Sequence, residues 1–166
     1  RSIVVNGWAE PEAVAVWRRM AAAAGGATRL DPDGPRVFWS RTAFNAAQRA
    51  DGAYVRTSAE RDRTLDDVFG AAGFRVVAPE TLPVLEQIRL AAGASVLAGS
   101  AGTALHLSAF APAGARVLEL GDDRSPDVQV PHQVAVDAAC RHPSAFVPYA
   151  VAAADVADVL VGLGLF

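Results

Sequence analysis

Three short stretches of this chain carry residue types that could do chemistry together. The first is Gly99-Ser-Ala-Gly102-Thr103-Ala-Leu-His106, which directly follows the small apolar run Val96–Ala98. Gly99 and Gly102 permit a turn whose backbone can approach a ligand closely. A strand feeding such a turn and then a helix start leaves backbone N–H groups and a positive dipole end facing outward. That combination suits a phosphate or another anion, with the Thr103 hydroxyl at the helix start. The spacing is not that of a P-loop, and no Lys follows the second glycine. The same glycines also suit tight strand–helix packing without a ligand. His106 falls one turn into the helix. As imidazolium it would help neutralise an anion; as neutral imidazole it would donate or accept a hydrogen bond.

The second stretch is Arg36–Ser40 followed by Arg41. A guanidinium at a strand end can meet a phosphate or another anion with paired hydrogen bonds, and the Ser40 hydroxyl could add a donor. The third is Val117-Leu-Glu119-Leu, in which Glu119 lies near the end of an apolar run. An ionised carboxylate there needs partners. Ribose hydroxyls would serve, and so would a neighbouring arginine. Glu86 and Gln87 sit early in a helical pattern; Glu86 suits the helix dipole, and the Gln87 amide can offer a ligand a hydrogen bond.

Other chemistries are less well served. His132, Asp137, Cys140 and His142 fit no helical pair of metal ligands, so no metal site is expected. Cys140 is the sole cysteine, which excludes an internal disulfide and thiolate zinc clusters. All 15 basic residues are Arg, so Schiff-base chemistry has no amine. The net charge of −3 argues against a nucleic-acid binder. Asp122 and Asp123 read as part of a solvated loop. The most apolar stretch is the C-terminal VAAADVADVLVGLGLF, which Asp155 and Asp158 interrupt; it is too short to span a bilayer and reads as an amphipathic helix.

These residues need a scaffold, and 166 residues with 52% hydrophobic and 20% charged content suffice for one globular core. Strands are expected over 2–6, 36–40, 74–78, 94–98, 115–120 and 144–149, with Pro148 making the last an edge or a strand end. Helices are expected from Pro11 to Gly25-Gly26, from a Ser58 cap to Gly73, over 83–92, from 102, around 131–139 and over 155–163. Residues 42–57 show no clear period and read as a loop with at most one helical turn. The alternation predicts an α/β fold, a Rossmann-like open and mostly parallel sheet with helices on both faces. In such sheets ligands sit at the carboxyl ends of the strands. Residues 28–35 read as a turn-rich connector. Residues 1–34 are therefore expected to be an N-terminal strand and helix with a possible linker, and 35–166 the Rossmann-like domain. The chain opens at Arg1 without Met or a targeting segment and reads as part of a longer protein.

Five stretches in order resemble the catalytic region of glycosyltransferase family 61. They are PRVFWSR (35–41), GFRVVAPE (73–80), Glu86-Gln87-Ile88, GSAGTALH (99–106), and FAPAG followed by the strand bearing Glu119. The resemblance spans roughly residues 35–150. Ala101 stands where many members have His, and Leu107 where many have Asn. The resemblance implies a GT-B architecture, this chain being the C-terminal, donor-binding half with a second α/β domain missing. It also implies inverting, metal-independent sugar transfer from a nucleotide sugar to a carbohydrate or other hydroxyl acceptor, without a further cofactor. The donor-binding set expected from residues and resemblance together is Ser40, Arg41, Gln87, Gly99, Gly102, Thr103, His106 and Glu119. A cytoplasmic location follows from the supply of activated sugars. Two other readings stay open: a non-catalytic Rossmann-like ligand-binding or interaction module, and another nucleotide-sugar enzyme such as a GT-B-like epimerase.

Overall fold

The computed structural model describes residues 4–5, 8–27 and 29–165. Of the strand expected over 2–6, residues 2, 3 and 6 lie outside the described residues. Val4–Val5 (β1) forms a short antiparallel hairpin with Trp8–Ala9 (β2). The main sheet has five parallel strands: Arg36–Trp39 (β3), Arg75–Val77 (β4), Val96–Ser100 (β5), Arg116–Leu120 (β6) and Ser144–Val147 (β7). Their spatial order is β4-β3-β5-β6-β7. The chain therefore moves outward from β3 to β4, then returns past β3 to build the other side. This is a Rossmann-like α/β fold. The order reverses between β3 and β5, the point at which such sheets open a crevice beyond their carboxyl ends.

Side-chain alternation sorts the strands onto two layers. Phe38, Val96, Ala98, Leu118, Leu120 and Val147 face Ala59–Ala71 (α3) and Val156–Gly162 (α6). On that side Phe38 stacks on Phe69, with ring centroids 4.1 Å apart. Val37, Trp39, Leu97 and Val117 face the opposite layer, where Ala91 of Val84–Gly93 (α4) and Leu105 close over them. Pro11–Ala23 (α1) packs there too: Ala21 and Ala24 meet Ile88 and Ala92, and Val14 and Trp17 meet Val136 and Cys140 of Pro131–Cys140 (α5). Edge strand β7 stops at Val147, one residue before Pro148, whose missing N–H could not continue a ladder.

Local signals set most boundaries. Pro11 and Pro131 open their helices at the first turn, where a missing N–H costs nothing. Ser58 Oγ accepts the backbone N–H of Arg61 at 3.0 Å and caps α3.

Two segments depart from the sequence expectation. Residues 42–57 are not mainly loop, because Thr42–Ala50 forms a helix (α2). Its small apolar side chains Ala43, Ala46, Ala47 and Ala50 lie exposed, and the residue it buries is Asn45, held by a polar bond to α3. The segment after β5 does not form an α-helix from 102. It turns through 101–104 and then makes a 3-10 helix over Leu105–Phe110.

Candidate functional site

The carboxyl end of β3 is fixed by the backbone of Ser40, whose N–H donates to Val77 O at 2.8 Å. Next door, β5 ends at Ser100, and the N–H of Ala101 donates to Leu120 O at 2.8 Å. The two chain exits diverge from adjacent strands, and a cleft of about 720 Å³ opens between them. Its walls come from α2 and the segment after it, from the Pro79–Thr81 turn and α4, from residues 102–107, from the loop bearing Arg124, and from the first turn of α5, which bears His132.

Six of the eight sequence-derived candidates line this cleft: Ser40, Arg41, Gln87, Gly102, Thr103 and His106. Gly102 has φ +149°, a conformation that favours glycine, and a Cβ there would lie 2.7 Å from Arg41 Nη1. Arg41 Nη1 also reaches Ala101 O at 3.5 Å, and the guanidinium carbon lies 5.2 Å from the Phe44 ring centroid. Burial, and next the neighbouring Arg56, hold the Arg41 guanidinium below its ordinary value, with Asp122 and Asp62 partly offsetting them. A guanidinium keeps its charge nonetheless, and a desolvated cation beside another cation is the setting in which an anion gains most.

Ser40 and Gln87 have internal partners. Ser40 Oγ donates to Asp66 Oδ2 at 3.0 Å, so its proton points away from a ligand. Gln87 Nε2 donates to Pro79 O and Leu82 O, both at 2.9 Å, and pins the turn that forms one wall. Its carbonyl oxygen is the part left for the cleft. His106 Nε2 is buried and has no partner within the protein. Burial first, then His132 and Arg124, lower the His106 pKa and keep the ring neutral near pH 7. The His132 ring centroid lies 6.4 Å away.

Gly99 and Glu119 lie elsewhere. Gly99 is inside β5, and a Cβ there would meet Trp39 Cβ of β3 at 3.4 Å and Leu105 Cδ1 at 3.7 Å, so the position serves packing within the sheet and against the segment after β5. Glu119 is 0% exposed. Its place in β6 turns it to the layer that holds α5, where Oε1 accepts the backbone N–H of Val130 at 3.3 Å. Burial lifts its pKa to about 7, against the opposing pull of that hydrogen bond. Asp137 lies in the same layer and is lifted to about 6 by burial. It accepts from Gln133 at 2.7 Å and from Gln129 at 2.9 Å. Gln133 also donates to Ser108 Oγ at 2.9 Å, and His142 Nε2 lies 2.9 Å from Ser108 O. Among the described residues, no group of three or more His, Cys, Asp or Glu side chains is arranged to hold a metal ion.

Several lining residues had no sequence signal of their own. Phe44, Tyr54, Arg56 and Arg124 are of that kind, while His132, weighed in the sequence only as a metal ligand, enters the wall from α5. Arg56 Nη1 lies 3.6 Å from Asp122 Oδ2, and Asp122 is buried rather than solvated. Asp122 Oδ1 accepts the N–H groups of Arg124 and Ser125, both at 3.0 Å, and so shapes the loop that presents Arg124. Tyr54 is 77% exposed, and its hydroxyl donates to Asp123. Among the described residues the walls hold three arginines and two histidines against one carboxylate, Glu80. A net negative chain thus concentrates positive charge at its switch-point crevice.

No helix among the described residues is long and apolar enough to cross a membrane. A family model described as Glycosyltransferase 61 matches residues 5–118. No curated protein and no solved structure matches the chain at a significant level.

Proposed function

Since the chain belongs to glycosyltransferase family 61, we propose that the switch-point cleft binds the diphosphate of a nucleotide-sugar donor, and that the chain is the donor-binding part of an inverting transferase. The observation that carries this reading is Arg41, held between the end of β3 and the Gly102 turn and facing a wall that also contains Arg56 and Arg124. In transfer with inversion, the acceptor oxygen bonds to the anomeric carbon on the face opposite the diphosphate. The bond from that carbon to the phosphate oxygen breaks, and the hydroxyl proton passes to a base. Negative charge grows on the departing diphosphate, so fixed cations aimed there lower the barrier. Arg41, Arg56 and Arg124 supply the countercharge in place of a metal ion. His106, neutral in the free chain, adds a hydrogen bond, with Gly102 and Thr103 at the turn beside it.

The acceptor and the base belong to the rest of the architecture: a second α/β domain would close over the cleft and bring a carbohydrate hydroxyl to the sugar. The donor is an activated sugar, which favours reaction in the cytoplasm. The test is calorimetric titration of the chain with UDP, GDP and CDP, alongside Arg41→Ala. One diphosphate is expected to bind, and the variant to weaken it by about tenfold or more. A folded chain that binds none of the three, or an Arg41→Ala variant that binds as well as the parent, would overturn the reading.

A further inference from the structure

Helix α3 carries two carboxylates one turn apart, Asp62 and Asp66, and neither lines the cleft. Asp66 Oδ2 accepts the hydroxyl protons of both Ser40, at 3.0 Å, and Thr42, at 2.7 Å. Ser40 Oγ in turn accepts the backbone N–H of Thr42 at 3.2 Å. Arg41 is therefore enclosed in the chain by two residues fastened to a single oxygen of the neighbouring helix. Asp62 repeats the arrangement one turn earlier. Its Oδ1 accepts the Thr57 hydroxyl at 2.6 Å, and its Oδ2 accepts Asn45 Nδ2 at 3.0 Å and Arg49 Nη2 at 2.9 Å. Thr57 follows Arg56 in the chain. Two of the three cleft arginines thus have, as a direct chain neighbour, a hydroxyl residue anchored to an α3 carboxylate.

These bonds bear on geometry because little else fixes α2. Its buried residue is Asn45, so apolar packing does not set its height along α3. Hydrogen bonds to an ionised acceptor are shorter and stronger than neutral ones. They also act here against a force that spreads the wall, the repulsion between Arg41 and Arg56. An anion site gains affinity when its cations are held in place before the ligand arrives, because the ordering cost is met during folding.

We infer that Asp66 and Asp62 are positioning residues of the anion-binding wall, Asp66 setting Arg41 and Asp62 setting Arg56, without touching the ligand. The ligand side of this inference rests on the donor-binding reading above; the anchoring side does not.

The experiment pairs inorganic pyrophosphate titration with backbone amide exchange on the same variants. Asp66→Ala should weaken pyrophosphate binding by about tenfold, and Asp66→Asn, which keeps an acceptor, by about threefold or less. In an Arg41→Ala background, Asp66→Ala should add less than about twofold, since two residues acting through one contact are not additive. The amides of Thr42 and Asn45 should lose protection in Asp66→Ala while those of β5 and β6 keep it. Thr57→Val should behave likewise toward Arg56→Ala, which tests the Asp62 arm without removing a buried carboxylate. Equal losses in both backgrounds, or unchanged exchange at Thr42 and Asn45, would overturn the inference. Localised loss of protection in Asp66→Ala, with a parent chain that binds no pyrophosphate, would support the anchoring and count against the donor-binding reading instead.

Discussion

Arg41 Nη1 fills the space in which a side chain at Gly102 would start: a Cβ there would fall 2.7 Å from that nitrogen. The turn after β5 and the residue after β3 are thus fitted to each other, glycine on one side and guanidinium on the other. This makes the two glycines of the Gly99–Gly102 turn separable by experiment. Gly102→Ala forces a strained φ and displaces Arg41; it should cost about 1–2 kcal/mol in stability and most of the diphosphate affinity. Gly99→Ala meets Trp39 Cβ only at 3.4 Å and should cost about 1 kcal/mol or less, leaving binding nearly intact. Thermal melts with titrations of both variants check the contrast; equal binding losses would refute it.

The cationic walls predict a salt dependence. Raising ionic strength from about 0.05 to 0.5 M should weaken diphosphate binding by about tenfold, because screening shortens the reach of Arg56 and Arg124. Arg124→Ala should reduce both the affinity and the slope of log Kd against log salt. A slope identical to the parent's would remove Arg124 from the site.

His106 predicts a pH dependence of binding. Burial, His132 and Arg124 hold its pKa below the usual value, so the free ring is neutral at pH 7. A diphosphate beside it favours imidazolium and raises that pKa. Binding should therefore take up a proton and strengthen as pH falls from about 8 to 6. His106→Gln should remove that part of the dependence, while titration of the phosphate itself remains. Calorimetry in two buffers of different ionisation enthalpy measures the proton count for the parent and the variant.

Glu119 predicts a pH dependence of stability with a definite sign. Its folded pKa is about 7 against an ordinary 4.5. Between those values the folded chain holds a proton that the unfolded chain releases, so stability is greatest below about 4.5 and declines as pH rises through 7. Asp137, lifted to about 6, adds to the same slope at lower pH. Glu119→Gln should raise the melting temperature at pH 8 by the equivalent of about 1–3 kcal/mol and change little at pH 5. A variant that melts lower at pH 8 would show that the ionised carboxylate is well satisfied where it lies.

Much of the scaffold was legible in the residues because it depends on local rules. The apolar strands, Pro11 and Pro131 at helix starts and the Ser58 cap each act within a few positions, and the alternation of elements then implies a parallel sheet. The Arg41 and Gly102–His106 elements were legible as well, since a strand end and a glycine turn are local features. Helix α2 was not, because its pairing with α3 runs through Asn45, Arg49 and Asp62 rather than through an apolar period.

The sequence by itself determined the strands and most of the helices, the parallel α/β class, the family resemblance and the two strand ends from which a cleft could open. Only the tertiary structure decided which side chains share that cleft. Arg56 and Arg124 meet Arg41 because the sheet order places their loops at one edge of the switch point. Glu119 leaves the cleft because alternation along β6 turns it toward Val130. Ser40 and Gln87 border it with their protons already donated elsewhere. Strand and helix propensities act over a few neighbours, whereas a side chain's direction and its choice of partner depend on contacts between residues far apart in the chain.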